Sequence, residues 1–182
     1  MSQTTAQQIL HFWFEEIEPR QWWAKDKAFD RLIKGRFGEL LKQAAQGELY
    51  LWRSSAQQRL AEIILLDQFS RNVYRDTPAA FAQDPMALAL AQEAVAGGAL
   101  LQLNAAQRSF LLLPYMHSES KLIHQLAEKL YRQHAPDNNY QFELKHKAII
   151  DRFGRYPHRN AILGRQSSAA ELAFLQLPGS GF

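Results

Sequence analysis

Asp67 and Arg71 are four residues apart, the spacing at which two side chains meet across one helical turn. A carboxylate beside a guanidinium can orient a base, hold an anion in concert with other groups, or neutralise its neighbour. The surroundings sharpen the question. At about 100° per residue, Leu60, Ile63, Ile64, Asp67, Arg71 and Tyr74 fall on one stripe of a helix, and the two charges occupy its centre. Burial of charge is costly unless the charge is paired and hydrogen-bonded. The stripe therefore carries either an ion pair that fixes helix docking or the floor of a site. Arg75 extends it by one more turn.

Three other segments carry chemistry-bearing residues. Tyr115, His117, Ser118 and Glu119 form a polar run at a predicted helix entrance, with Ser118 as cap and Glu119 in the first turn, where the helix dipole favours a carboxylate. Glu119 meeting an arginine is the alternative. His146 falls on a stripe with Phe142, Ile149 and Phe153 and reads as a hydrogen-bonded core histidine or, alternatively, a general base. The segment from Arg152 to Asn160 places Arg155, His158, Arg159 and Asn160 around a helix-stopping Gly154 and a turn-setting Pro157, with Arg152 a further candidate ligand-binding residue. These planar donors suit a carboxylate or a phosphate, or the free carbonyls of helix ends.

No metal is expected. His117, Glu119, His146 and His158 could meet only in three dimensions, and the His11–Glu15 spacing of four is common by chance. There is no phosphate-cradling glycine loop and no nucleophile elbow, so no cofactor is expected either.

The elements that must position these residues are helices. Valine occurs only at Val73 and Val95, alanine and leucine dominate, and no segment alternates with period two. Asp26, Ser54 or Ser55, Asn104, Ser118 and Ser168 are candidate caps, the last within a Ser168–Glu171 capping box. Asp84 before Pro85 reads as a further cap. Gly47, Gly97, Pro114 and Gly154 are candidate stops. A helix running to about Tyr74, and a helix whose apolar face is Leu122, Ile123, Leu126, Ala127 and Leu130, follow from the same patterning. On the second helix the predicted stripe is Phe29, Leu32, Ile33, Phe37, Leu40, Leu41 and Ala44.

A chain of 182 residues with 47% hydrophobic side chains suits one all-helical domain, 1–182. It has no cysteine, which excludes disulfide scaffolds, thiolate metal sites and cysteine nucleophiles. The net charge of +3 is mild and spread out, so nucleic-acid binding is not expected. No apolar run approaches the roughly 20 residues of a membrane span, and the N-terminus lacks a signal-peptide pattern. A cytoplasmic protein is the expectation.

Segments 65–84, LLDQFSRNVYRDTPAAFAQD, and 151–165, DRFGRYPHRNAILGR, resemble two signatures of the bacterial family known as domain of unknown function 924. LPYMHSES at 113–120 and ILHFWFE at 9–15 are similar to further parts of it. The chain departs from the pattern at Ser70, where the family often carries proline. The resemblance implies an all-α, right-handed superhelix of antiparallel helix pairs, like tetratricopeptide repeats. It implies no activity and no catalytic residue.

Two functions suit these residues. In the first, favoured by fold analogy, helix pairs form an open groove for a peptide, a protein or a small anionic ligand. In the second, His117 or His146 is a base, Asp67 or Glu119 orients it, and arginines hold an anionic substrate. Both expect Asp67, Arg71, Arg75, His117, Glu119, Arg152, Arg155, His158 and Arg159 to converge, and Tyr115 is a further candidate ligand-binding residue.

Overall fold

Alanine- and leucine-rich segments closed by polar caps become helices throughout a computed structural model of the chain, which describes residues 5–181. Among the described residues there are nine α-helices and no strand. They are α1 (Thr5–His11), α2 (Lys27–Ala45), α3 (Ala56–Ile64), α4 (Ser70–Val73), α5 (Asp84–Ala96), α6 (Ala105–Met116), α7 (Lys121–His134), α8 (Asp137–Phe153) and α9 (Ala169–Leu175). Asp26, Ser55 and Asn104 cap α2, α3 and α6 through their side chains, and the Ser168–Glu171 box caps α9. None of these helices is long and apolar enough to cross a membrane.

The aromatic side chains make the centre. Phe12, Trp13, Phe29, Phe37, Phe69 and Phe110 are buried and pack with ring centroids 5.0–6.5 Å apart. The Trp22 indole donates to the Trp13 carbonyl and ties the Pro19–Trp23 turn to this core. A smaller apolar cluster, Ile149, Ile150 and Tyr156 with Phe153 and Phe174, lies under the C-terminal segment. α3 packs on α1 and α5, α6 on α5 and α7, and α7 on α8. These contacts bring the ends of α3, α5 and α6 to the segment after α8.

Four features depart from the patterning. The helix expected from Ser54 or Ser55 to about Tyr74 is not continuous: residues Leu65–Phe69 form a π-turn between α3 and α4. Pro114 does not stop α6 but lies inside it, two residues before its end. α7 is capped by Ser120, not Ser118, so Glu119 lies outside the helix and the dipole argument for it fails. Of the predicted α7 face Ala127 is buried, but its companions in the core are His124 and Tyr131, while Leu122 and Leu126 are 65% and 42% exposed. Leu32 and Phe142 also face outward, contrary to their predicted stripes.

Candidate functional site

Asp67 sits at the middle of the π-turn, where the backbone N–H of Ser70 reaches back five residues to the Leu65 carbonyl. Such turns are rare and recur at functional sites. The carboxylate is 1% exposed and fully engaged. Oδ2 accepts from the Gln68 amide at 2.6 Å, and Oδ1 lies 2.7 Å from His117 Nδ1 and 3.4 Å from Arg71 Nη1. Burial pushes this carboxyl up, but the neighbouring charges and the hydrogen bonds from His117 and Gln68 outweigh it, so the group is held well below the usual carboxylate range.

His117 is the first residue beyond α6. Burial lowers its pKa and the Arg71 charge lowers it further; the Asp67 carboxylate opposes both without prevailing. The imidazole is therefore neutral at pH 7. With Asp67 ionised, Nδ1 must carry the proton and donate it to Oδ1, which leaves Nε2 as a lone-pair acceptor. The side chain is 16% exposed, and among the described residues Nε2 has no hydrogen-bond partner. A buried carboxylate fixing the tautomer of a histidine whose other nitrogen is open is the arrangement of an oriented general base.

Two arginines and one carboxylate complete the surround. Arg71 makes a two-pronged bond to Asp84 at 2.8 and 2.9 Å and also donates to the Asp67 carbonyl. Arg159 donates to Asp84 at 3.2 Å and to the His117 carbonyl at 3.0 Å. Both guanidiniums face the Phe81 ring, at 5.5 and 4.6 Å from its centroid. Asp67 and Asp84 thus balance Arg71 and Arg159. Asp84 reads in the sequence as a helix cap; in the structure Gln83 holds that position and the Asp84 carboxylate serves the arginines.

Glu119 does meet an arginine, but it is Arg165. The pair is two-pronged, at 2.7 and 2.9 Å, and Glu119 also accepts the Tyr156 backbone N–H at 2.7 Å. Glu119 thereby ties the 117–120 turn to the 155–165 segment without touching His117.

The expected convergence of all nine residues is corrected. Asp67, Arg71, His117 and Arg159 come together. Arg75 instead pairs with Asp30 at 2.6 Å, and Arg155 pairs with Glu171 at 2.7 Å. Arg152 is exposed and covers the Phe153 ring. His146 donates Nδ1–H to the Phe142 carbonyl, its partner on the preceding turn, and burial pushes its pKa down to about 3. Burial also pushes the Tyr115 phenol up to about 12, and His158 down to about 4. Neither the Tyr115 phenol nor the His158 ring makes the contact to Asp67 that His117 makes. No group of three His, Asp or Glu side chains among the described residues is placed to hold a metal ion.

The patterning missed Asp84, Arg165 and the buried His124–Glu143 pair. For Glu143 a signal existed, since it lies three residues before His146 on the same helix face. For Asp84 none did, because its cap-like position before Pro85 supplies a sufficient local reason for an aspartate.

The chain belongs to the family described as bacterial protein of unknown function (DUF924), whose model matches residues 9–179. A solved protein of unknown function from Agrobacterium tumefaciens is similar to it: 36% identical, TM-score 0.89, with 94% of this chain and 96% of that chain covered. No curated protein matches the chain.

Proposed function

We propose that this protein performs acid–base chemistry on a small molecule at a surface site centred on His117. The observation that carries this is the His117–Asp67 contact of 2.7 Å with Nε2 left open. In this reading Nε2 takes a proton from water as the water oxygen attacks the ester carbonyl carbon or phosphorus and the bond to the leaving alkoxide breaks. Asp67 stabilises the imidazolium formed, and the proton then returns to the leaving group. Arg71 spends Nη1 and one hydrogen of Nη2 on its partners, its Nε–H has no hydrogen-bond partner among the described residues, and 20% of its side chain is exposed. It supplies a donor for a carboxylate or phosphate group on the substrate. The reaction class is hydrolysis of a small anionic ester.

The proposal turns away from a peptide groove lined by arginines. Arg71, Arg75, Arg155 and Arg159 are each already matched by a carboxylate of this chain. Two surface concavities, of about 220 and 360 Å³, are lined by other residues, Leu41 to Gln83 in one and Gln8 to Phe37 in the other. One observation supports a partner-binding role beside catalysis: Leu122 and Leu126 stand exposed one turn apart on α7.

The test is turnover of small phosphate and carboxylate esters by the wild type and by His117→Gln. General base catalysis contributes about 10²–10⁴-fold, and a loss of that size is expected. Turnover unchanged in His117→Gln contradicts the proposal.

A further inference from the structure

Three successive backbone carbonyls at the end of α6 are each gripped by a side chain from elsewhere in the chain. The Tyr156 hydroxyl donates to the Met116 carbonyl, Arg159 donates to the His117 carbonyl at 3.0 Å, and His124 Nε2 bonds the Ser118 carbonyl at 2.8 Å. Helix ends leave carbonyls unpaired, and water or a cap commonly serves them. Here they are the backbone of the candidate base itself and of its two neighbours.

The His124 grip has a feature the other two lack. Its protonation is dictated from both sides. Nε2 faces the Ser118 carbonyl, which can only accept, and the Tyr156 hydroxyl at 3.2 Å, whose own proton is spent on Met116. Nε2 must therefore carry a proton. Nδ1 lies 2.7 Å from Glu143 Oε1, and both side chains are 0% exposed. One further proton lies between Nδ1 and Oε1. Wherever it sits along that contact, the pair is neutral as a whole, which is what complete burial requires. Burial pushes the Glu143 carboxyl up. If Glu143 is lost, His124 Nδ1 is buried without a partner and the ring loses the contact that fixes its rotation from that side, so the Nε2–H bond to the Ser118 carbonyl is no longer held in place.

We infer that His124 and Glu143 are positioning residues for His117: the buried pair holds the Ser118 carbonyl and so keeps the His117 imidazole aligned on Asp67. The inference rests on the reading of His117 as the proton acceptor. It gives a purpose to a buried polar pair where α7 would otherwise present leucine or alanine to the core. The pair touches neither Asp67 nor the open nitrogen and acts only through the 116–118 backbone.

The experiment is ¹⁵N NMR of the histidine side chains in the full chain, comparing the wild type with Glu143→Leu and Glu143→Gln. The groups that surround His117 are Asp67 of the π-turn, Arg71 of α4, Asp84 of α5, His146 of α8, and His158 and Arg159 of the following turn, and all are retained in these variants. In Glu143→Leu the ratio of Nδ1–H to Nε2–H tautomer at His117 is expected to fall about tenfold or more, since the partner of one ring nitrogen decides the state of the other. In Glu143→Gln the amide can donate to His124 Nδ1 and leave Nε2–H on Ser118, so the wild-type ratio is expected to return. If Glu143→Leu does not melt cooperatively, Glu143→Asp, one methylene shorter, withdraws the carboxylate from His124 and is expected to give the same fall. A folded Glu143→Leu or Glu143→Asp with the wild-type ratio overturns the inference alone. A wild type that already lacks the Nδ1–H tautomer overturns both the inference and the reading beneath it.

Discussion

His117 and Arg71 converge on one oxygen of Asp67, at 2.7 and 3.4 Å, although His117 lies on the far side of the chain's central helices from residue 71 in sequence. The two donors have different outlets. Arg71 is also held by Asp84, whereas His117 has its second nitrogen open. Charge is balanced by the arginines, and the imidazole is left neutral and oriented. This division makes the roles of the two carboxylates separable by mutation.

Asp84 is matched by two arginines, one of them 7% exposed, and Asp67 shares its main cation with Asp84. Removing one partner of a buried ion pair costs about 3–5 kcal/mol. Asp84→Asn is expected to lose that much, because it leaves Arg71 and Arg159 facing one another. Asp67→Asn keeps the Arg71–Asp84 bond and is expected to lose about 1–3 kcal/mol, the cost of an impaired buried hydrogen bond. Urea unfolding of the two variants measures the order, and a larger loss in Asp67→Asn would contradict it.

Stability is expected to fall on acidification well before carboxylates titrate. Burial holds His146 at about 3 and His158 at about 4, below the ordinary histidine value of 6.5. As pH drops below 6.5 the unfolded chain takes up these protons and the folded chain does not, so folding weakens. The slope approaches about 1.4 kcal/mol per pH unit for each histidine. His117 acts in the same direction. Asp67, held low, adds its loss below the ordinary carboxylate range. Glu143, pushed up, contributes stability at low pH that is lost as pH rises, and so opposes the trend. Unfolding free energies from pH 7 to 4 check the sum, and His146→Gln is expected to reduce the slope by about one proton.

The charges of the Asp67 stripe were legible because they break an apolar helical pattern, and that pattern is local. The helical class and most caps were legible for the same reason: alanine, leucine and cap residues act within a few positions. The partners were not. Asp84 reaches Arg71 across a turn of 13 residues, and Glu143 reaches His124 across a helix hairpin of 19. α7 misled because its leucine stripe faces out while the core position is filled by His124, which is tolerable only because Glu143 waits on α8. A polar residue whose partner is distant looks the same in sequence as one exposed to water.

Glu119→Gln is expected to loosen the 155–165 segment selectively. The carboxylate accepts both Arg165 nitrogens and the Tyr156 amide, and it is about a quarter exposed, so the stability cost is about 1–2 kcal/mol. Hydrogen exchange at the Tyr156 amide is the direct readout and should accelerate at least about tenfold, the factor that corresponds to 1.4 kcal/mol. Protection unchanged at that amide would mean that Arg165 and the backbone suffice.

Arg152 and Arg159 are separated by seven residues and by their surroundings. Arg152→Ala is expected to change stability by no more than about 0.5 kcal/mol, as for an exposed side chain without a carboxylate partner. Arg159→Ala removes a buried cation from Asp84 and a donor from the His117 carbonyl, and is expected to cost about 3 kcal/mol or more. Thermal or urea unfolding of the pair tests the assignment of Arg159, and not Arg152, to the site.

The most direct test of the account is the protonation state of His117 in the wild-type protein, read by ¹⁵N NMR of the imidazole at pH 7 and through a titration. A neutral ring with the proton on Nδ1, whose midpoint lies below 6.5, is the predicted result. An imidazolium at pH 7, or a neutral ring protonated on Nε2, would leave no open lone pair and would contradict the assignment of His117 as the base.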